Sequence, residues 1–154
     1  MKGSTEIITM LNELLAEEHS TYVQYTTHAR ITNAFGYKKL AEYLSERAND
    51  EKEHAIKLID RILYLEGVPL FAEIGPVFVG NSVLEQFPID KESELNLIAG
   101  YTEGIMLAMK LADLGTMCLL QCILQEEEKH LGDIESNIAQ ITQAGIENYL
   151  VVQI

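Results

Sequence analysis

Pro and Gly are sparse outside a few places in this chain of 154 residues, and between those places apolar residues recur at intervals of three and four. That pattern confines the chain to long amphipathic helices. The first runs from Glu6 to about Ala34, on Ile7, Leu11, Leu14, Leu15, Tyr22, Tyr25 and Ala29. Ser4 or Thr5 can cap its start, and Asn33-Ala-Phe-Gly36 ends it. The second runs from about Tyr37 to Leu65, with Leu40, Leu44, Leu58, Ile62 and Leu65 on one stripe, and Gly67 and Pro69 stop it. From Gly67 to about Asn81 the chain holds Gly67, Pro69, Gly75, Pro76 and Gly80 and a short β-like run, Val77-Phe78-Val79, and reads as a long connection. A third helix ends near Asp113. Pro88 leaves two starts open: Asp90, or Ser82 with a bend at the proline. The fourth runs from about Thr116 to Ala144, Gly145 breaks it, and residues 146–154 leave room for a short fifth helix, about 146–153.

Four long helices with one long middle connection predict an all-α four-helix bundle, in which the third helix runs parallel to the second. This is the ferritin-like topology. One domain over residues 1–154 is expected, with the bundle at about 5–144.

Charged residues keep phase with the apolar stripes. Glu18 lies on the stripe of the first helix. Glu51 stands seven from Leu44 and Leu58 on the second, and His54 stands seven from Arg47. On the third, Glu94 shares a face with Leu97, Ile98, Tyr101, Ile105 and Ala108, and on the fourth Glu127 and His130 fall between Leu120, Ile123, Ile134 and Ile138. Burying one bare carboxylate costs several kcal/mol, roughly, unless it is paired. Two divalent cations balance four carboxylates, with neutral His completing each shell. A lone Glu from two helices and Glu-x-x-His from the other two is the donor pattern of dinuclear carboxylate bundles. Glu51-Lys-Glu-His54 and Glu127-Glu-Lys-His130 supply the two motifs, and Glu18 and Glu94 the lone carboxylates. The expected metal ligands are therefore Glu18, Glu51, His54, Glu94, Glu127 and His130.

Other residues receive plainer expectations. Glu17, Glu53, Glu126 and Glu128 read as solvated helix faces, and His19 and His28, which lack a phased partner, as surface or interface imidazoles. Tyr25, seven after Glu18, is core packing or a phenol near the metals. Glu46 and Asp50 form an acidic step, a solvated pair or an auxiliary cation site. Arg47 pairs with Glu18 or a neighbour. Cys118 and Cys122, four apart, and Met10, Met106, Met109 and Met117 read as apolar filler of helices.

The 24 acidic residues outnumber the 11 Lys and Arg, for a net charge of −13. That excludes the basic surface needed to wrap nucleic acid or to dock on anionic lipid. Residues 1–18 lack a signal-peptide pattern and no stretch is apolar enough to span a membrane, so a cytoplasmic protein is expected.

The chain resembles the bacterioferritins, and the resemblance covers essentially its whole length. It rests on Met1-Lys-Gly3, Leu11-Asn-Glu-Leu-Leu15, His28-Ala-Arg30, Arg61-Ile-Leu-Tyr-Leu-Glu-Gly-Val-Pro69, Gly100-Tyr101 and Asn148-Tyr-Leu150. The six ligands fall where that family places its ferroxidase centre. The resemblance implies two iron ions per subunit, Fe(II) oxidation by O2 or H2O2, and a homo-oligomeric 24-subunit cage storing ferric mineral. It also implies that Glu51 and Glu127 bridge the irons while Glu18 and Glu94 are terminal. One position departs from the family: Lys52 stands directly after Glu51, where the haem-ligand methionine belongs. An ammonium cannot act as the thioether ligand, so haem is not expected through that site. A haem-binding bacterioferritin subunit could share a mixed cage, with this chain as the non-haem partner. A rubrerythrin-like di-iron peroxidase or oxidase is the alternative on the same bundle, although the chain has no CxxC pair for a rubredoxin-type iron.

Overall fold

The computed structural model describes residues 2–71 and 75–154. Its five helices are α1 (Thr5–Ala34), α2 (Lys38–Tyr64), α3 (Val83–Lys110), α4 (Leu114–Ala144) and α5 (Ile146–Val151). Among the described residues there is no strand, so Val77-Phe78-Val79 is irregular chain and the β-like reading is overturned. Met1, part of the first resembling segment, and residues 72–74 of the long connection lie outside the described residues.

Local chemistry sets the helix ends. Ser4 Oγ accepts from the Glu6 amide at 3.2 Å and caps α1. Past the end of α2, Glu66 takes the left-handed conformation (φ 61°), and the Gly67 amide donates to Ile62 O at 2.9 Å. The left-handed position thus falls on Glu66, not on glycine. Gly67 is needed for a different reason: a Cβ there would lie 2.8 Å from Ile8 Cγ2. The end of α3 repeats the motif at Ala112 (φ 56°), with the Asp113 amide bonding Ala108 O. Helix α3 starts before Pro88 and continues through it. Leu84 and Pro88 are both exposed, so the carbonyl freed by the missing N–H faces the solvent side. Asp113 caps α4, which begins at Leu114, two residues before the expected start: its Oδ1 accepts from the Thr116 amide at 3.0 Å.

The contacts fix the directions of the helices. Tyr25 meets Glu94 while Tyr101 meets Glu18, so α1 and α3 are antiparallel. Arg61 meets Asp113 and Asp50 approaches His130, so α2 and α4 are antiparallel too. With α1 and α2 joined by a short turn, α3 runs parallel to α2, as the long connection requires.

Two apolar clusters fill the bundle. One holds Ile7, Leu11, Leu15, Leu58, Ile62, Leu97, Leu120 and Ile123. The other holds Tyr25, Leu40, Leu44, Val83, Phe87, Ile134 and Tyr149. Helix α5 joins the second through Tyr149, whose hydroxyl donates to Asn137 Oδ1 at 2.7 Å. The gap between the clusters is where Glu18, Glu51, Glu94 and Glu127 sit, all fully buried. No helix among the described residues is long and apolar enough to cross a membrane.

Four filler readings fail. Cys118 and Cys122 are free and exposed. Met106 and Met109 are exposed as well, while Met10 and Met117 pack beside the core. The spacing is helical, but α4 and α3 present those faces to solvent.

Candidate metal centre

Each long helix delivers one carboxylate to the gap, and α2 and α4 each add an imidazole. Because 3.6 residues make a turn, Glu51 and His54 share one face of α2, as do Glu127 and His130 of α4. Ligand atoms of Glu18, Glu51, His54 and Glu127 all lie within 4.8 Å of one another, and so do those of Glu51, Glu94, Glu127 and His130. The two sets share Glu51 and Glu127. His54 Nδ1 lies 2.8 Å from Glu127 Oε1, 3.2 Å from Glu51 Oε2 and 3.5 Å from Glu18 Oε1. His130 Nδ1 lies 3.1 Å from Glu127 Oε2, 3.2 Å from Glu51 Oε1 and 3.9 Å from Glu94 Oε1. The two imidazoles stack with centroids 6.0 Å apart.

Protons and hydrogen bonds hold this set of like charges together. Burial pushes Glu18 well above the usual carboxylate range, with Glu51 and Glu127 adding to the rise against the His54 contact. Burial does the same at Glu94, reinforced by Glu51 and Glu127. Burial would also raise Glu127, but hydrogen bonds from His130 and His54 overcome it and pull the carboxyl down to about 2. Both imidazoles move upward. Desolvation opposes their charge, yet Glu127, Glu18 and Glu51 win at His54, and Glu127 and Glu51 bring His130 to about 9. The protons thus do what cations would do. Glu18 Oε2 and Glu94 Oε2 remain buried without a hydrogen-bond partner. Unpartnered buried oxygens in a carboxylate–imidazole set fit hard or borderline divalent cations.

The surroundings correct several expectations. Tyr25 does sit at the site, its hydroxyl donating to Glu94, and Tyr101 donates to Glu18 in the same way. Tyr101 was read only as a core position. The signal was there: each tyrosine stands seven residues after a lone Glu and bonds the Glu of the other helix. Glu126 is not simply a solvated face: its Oε2 meets His54 Nε2 at 2.8 Å and its Oε1 meets Lys57 Nζ at 3.2 Å. Asp50 approaches His130 Nε2 at 3.3 Å and Arg47 Nη2 at 3.1 Å, whereas Glu46 is exposed. Arg47 pairs with Asp50 and, at 3.7 Å, with Asp133, not with Glu18. Lys52, one residue after Glu51, is exposed.

His28 is the clearest reversal. It is fully buried, with Nδ1 2.8 Å from Asp90 Oδ1 and Nε2 accepting from the Gly80 amide at 2.9 Å. The ring ties the end of the crossover to α1 and α3. Its partner is 62 positions away, which no local pattern reveals. His19 behaves as expected of a partly exposed ring, flanked by Tyr22 and Phe71.

Fold and site together define a helical bundle with a buried carboxylate–imidazole cradle built from two overlapping sets of metal-ligating groups. Comparison with known proteins agrees. The ferritin-like domain family matches residues 8–144. The chain is 37% identical to a bacterioferritin of Streptomyces coelicolor over 150 residues, covering 97% of this chain and 90% of that one. It is 34% identical to a bacterioferritin of Brucella melitensis (97% and 92% covered) and 33% identical to one of Mycobacterium leprae (97% and 94%). The chain belongs to the ferritin-like family and, within it, to the bacterioferritins.

Proposed function

We propose that this protein stores iron and oxidises Fe(II) at Glu18, Glu51, His54, Glu94, Glu127 and His130. The observation that carries the reading is the pair of overlapping buried clusters sharing Glu51 and Glu127. Those two carboxylates bridge the substrate ions; Glu18 and His54 complete one half, and Glu94 and His130 the other. Bound as a pair, two Fe(II) supply two electrons to O2 or H2O2. The chain's own residues do the rest. The four carboxylates neutralise the incoming charge, and the imidazolium and carboxyl protons leave as the cations enter. Tyr25 and Tyr101 orient the terminal carboxylates, and the flanking apolar clusters restrict water. Haem held at the position after Glu51 is not part of this reading, because Lys52 carries an ammonium there. Residues 1–154 form one domain of a cytoplasmic homo-oligomer in the form of a 24-subunit cage.

Anaerobic Fe(II) titration tests the site. Binding is expected to break near two ions per subunit. In air the wild type oxidises Fe(II) in a fast phase that Glu127→Ala and His130→Ala remove. Unchanged fast phases in both variants overturn the assignment.

A further inference from the structure

The two imidazoles are each held from outside by an acid of the opposite helix, and the arrangement is crossed. In His54 and in His130, Nδ1 faces the buried carboxylates and Nε2 faces outward. On α4 the residue directly before Glu127 is Glu126, and it meets His54 of α2 at 2.8 Å. On α2 the residue directly before Glu51 is Asp50, and it approaches His130 of α4 at 3.3 Å. An acid directly before each Glu-x-x-His motif therefore serves the histidine of the other motif.

We propose that Glu126 and Asp50 are positioning residues, which hold His54 and His130 with the Nδ1 lone pair turned into the dinuclear site. The inference rests on the metal-centre reading above. A neutral imidazole coordinates through one nitrogen and carries its proton on the other. A carboxylate at Nε2 accepts that proton, selects the tautomer and stops the ring from turning. Both acids are well placed for the task. Their side chains are 47% and 41% exposed, so their charge is hydrated and needs no cation to sustain it. Each is also anchored on its far side, Glu126 by Lys57 and Asp50 by Arg47. The two clamps are unequal. Glu126 uses separate oxygens for His54 and Lys57, whereas Asp50 Oδ2 alone faces both Arg47 and His130. Glu126 is therefore the stronger clamp.

The test is anaerobic Co(II) binding to the assembled protein, followed by the visible ligand-field bands of the bound ion. Loss of an outer carboxylate partner to a ligand histidine lowers metal affinity by about 10- to 100-fold. Glu126→Leu is expected to show a loss in that range with altered bands, and Asp50→Leu a smaller one. Glu126→Gln, whose amide oxygen can accept the same bond, should stay within a few-fold of wild type. Glu128→Leu removes an equal charge from an exposed position of the same helix and should bind as wild type does. Equal Co(II) affinity in Glu126→Leu and Glu128→Leu overturns the inference, and so does a Glu126→Gln variant as weak as Glu126→Leu. If the wild type binds Co(II) and Glu126→Leu binds it equally well, the clamp alone fails. If the wild type takes up none, the metal-centre reading fails and this inference with it.

Discussion

At Glu127, burial drives the carboxyl toward its neutral form and two imidazoles drive it back, and the imidazoles prevail. The balance has a consequence for pH. In the metal-free site Glu18, Glu94, His54 and His130 all hold their protons to higher pH than they would in water. Each must lose its proton before it can act as a ligand. Raised values mean that protons compete more strongly as pH falls. Divalent-metal affinity is therefore expected to decline from about pH 8 to about pH 6, with protons released on binding. Calorimetric titration in two buffers of different ionisation enthalpy measures both. Affinity independent of pH, with no proton release, would count against this account of the site. The six residues of the proposed site were legible in the sequence because burial imposes a phase: a Glu on a Leu stripe stands out. Glu126 did not, because its position on the solvent side of α4 matches that of any helical surface acid.

The ends of the helices carry their own predictions. Asp113 caps α4 and also receives Arg61 Nη2 at 2.6 Å, beside Arg61 Nε donating to Thr116 Oγ1. Partial burial raises its carboxyl, but bonds from the Thr116 amide and hydroxyl and the Arg61 charge outweigh that, so the net direction is down. A depressed folded-state value contributes stability above the unfolded value near 3.8, and that contribution is lost as pH falls through the folded value. Asp113→Ala should cost about 1 kcal/mol at neutral pH. The gap from wild type should narrow below about pH 4, as read from denaturant midpoints. At the end of α3, Ala112 is left-handed, a conformation that places Cβ against the carbonyl. Ala112→Gly should raise the unfolding free energy by about 1 kcal/mol, read as a higher denaturant midpoint. A fall instead would show that the Ala112 methyl packs favourably in that turn. The sequence placed the long helices closely. It left the start of α3 open because a proline near a helix start is compatible with either boundary, and only the exposure of Leu84 and Pro88 shows why the helix can begin early.

For the whole molecule, the acidic surplus divides between the site and the surface. Four carboxylates are buried at the centre, while most of the remaining acids, among them Glu46, Glu53 and Glu128, face solvent. A 24-subunit assembly of this 17.3 kDa chain would have a mass of about 400 kDa. Light scattering after size exclusion should find that mass. A dimer as the largest species would favour the peroxidase-like alternative on the same bundle. A surface of one dominant sign also draws cations, so initial Fe(II) uptake by the assembly should slow as ionic strength rises.

What the sequence determined by itself is whatever repeats locally: the four helical stripes, the Glu phased with each, and His three residues after two of them. Spacing of three and four is a property of one helix, so it can be read without knowing the partner. Only the tertiary structure decided which side chains meet across helices: Tyr25 with Glu94, Tyr101 with Glu18, Glu126 with His54, Asp50 with His130, and His28 with Asp90. These partners lie 62 to 83 positions apart. Their meeting depends on how each helix is rotated and shifted against its neighbours, and the packing of the two apolar clusters sets that rotation.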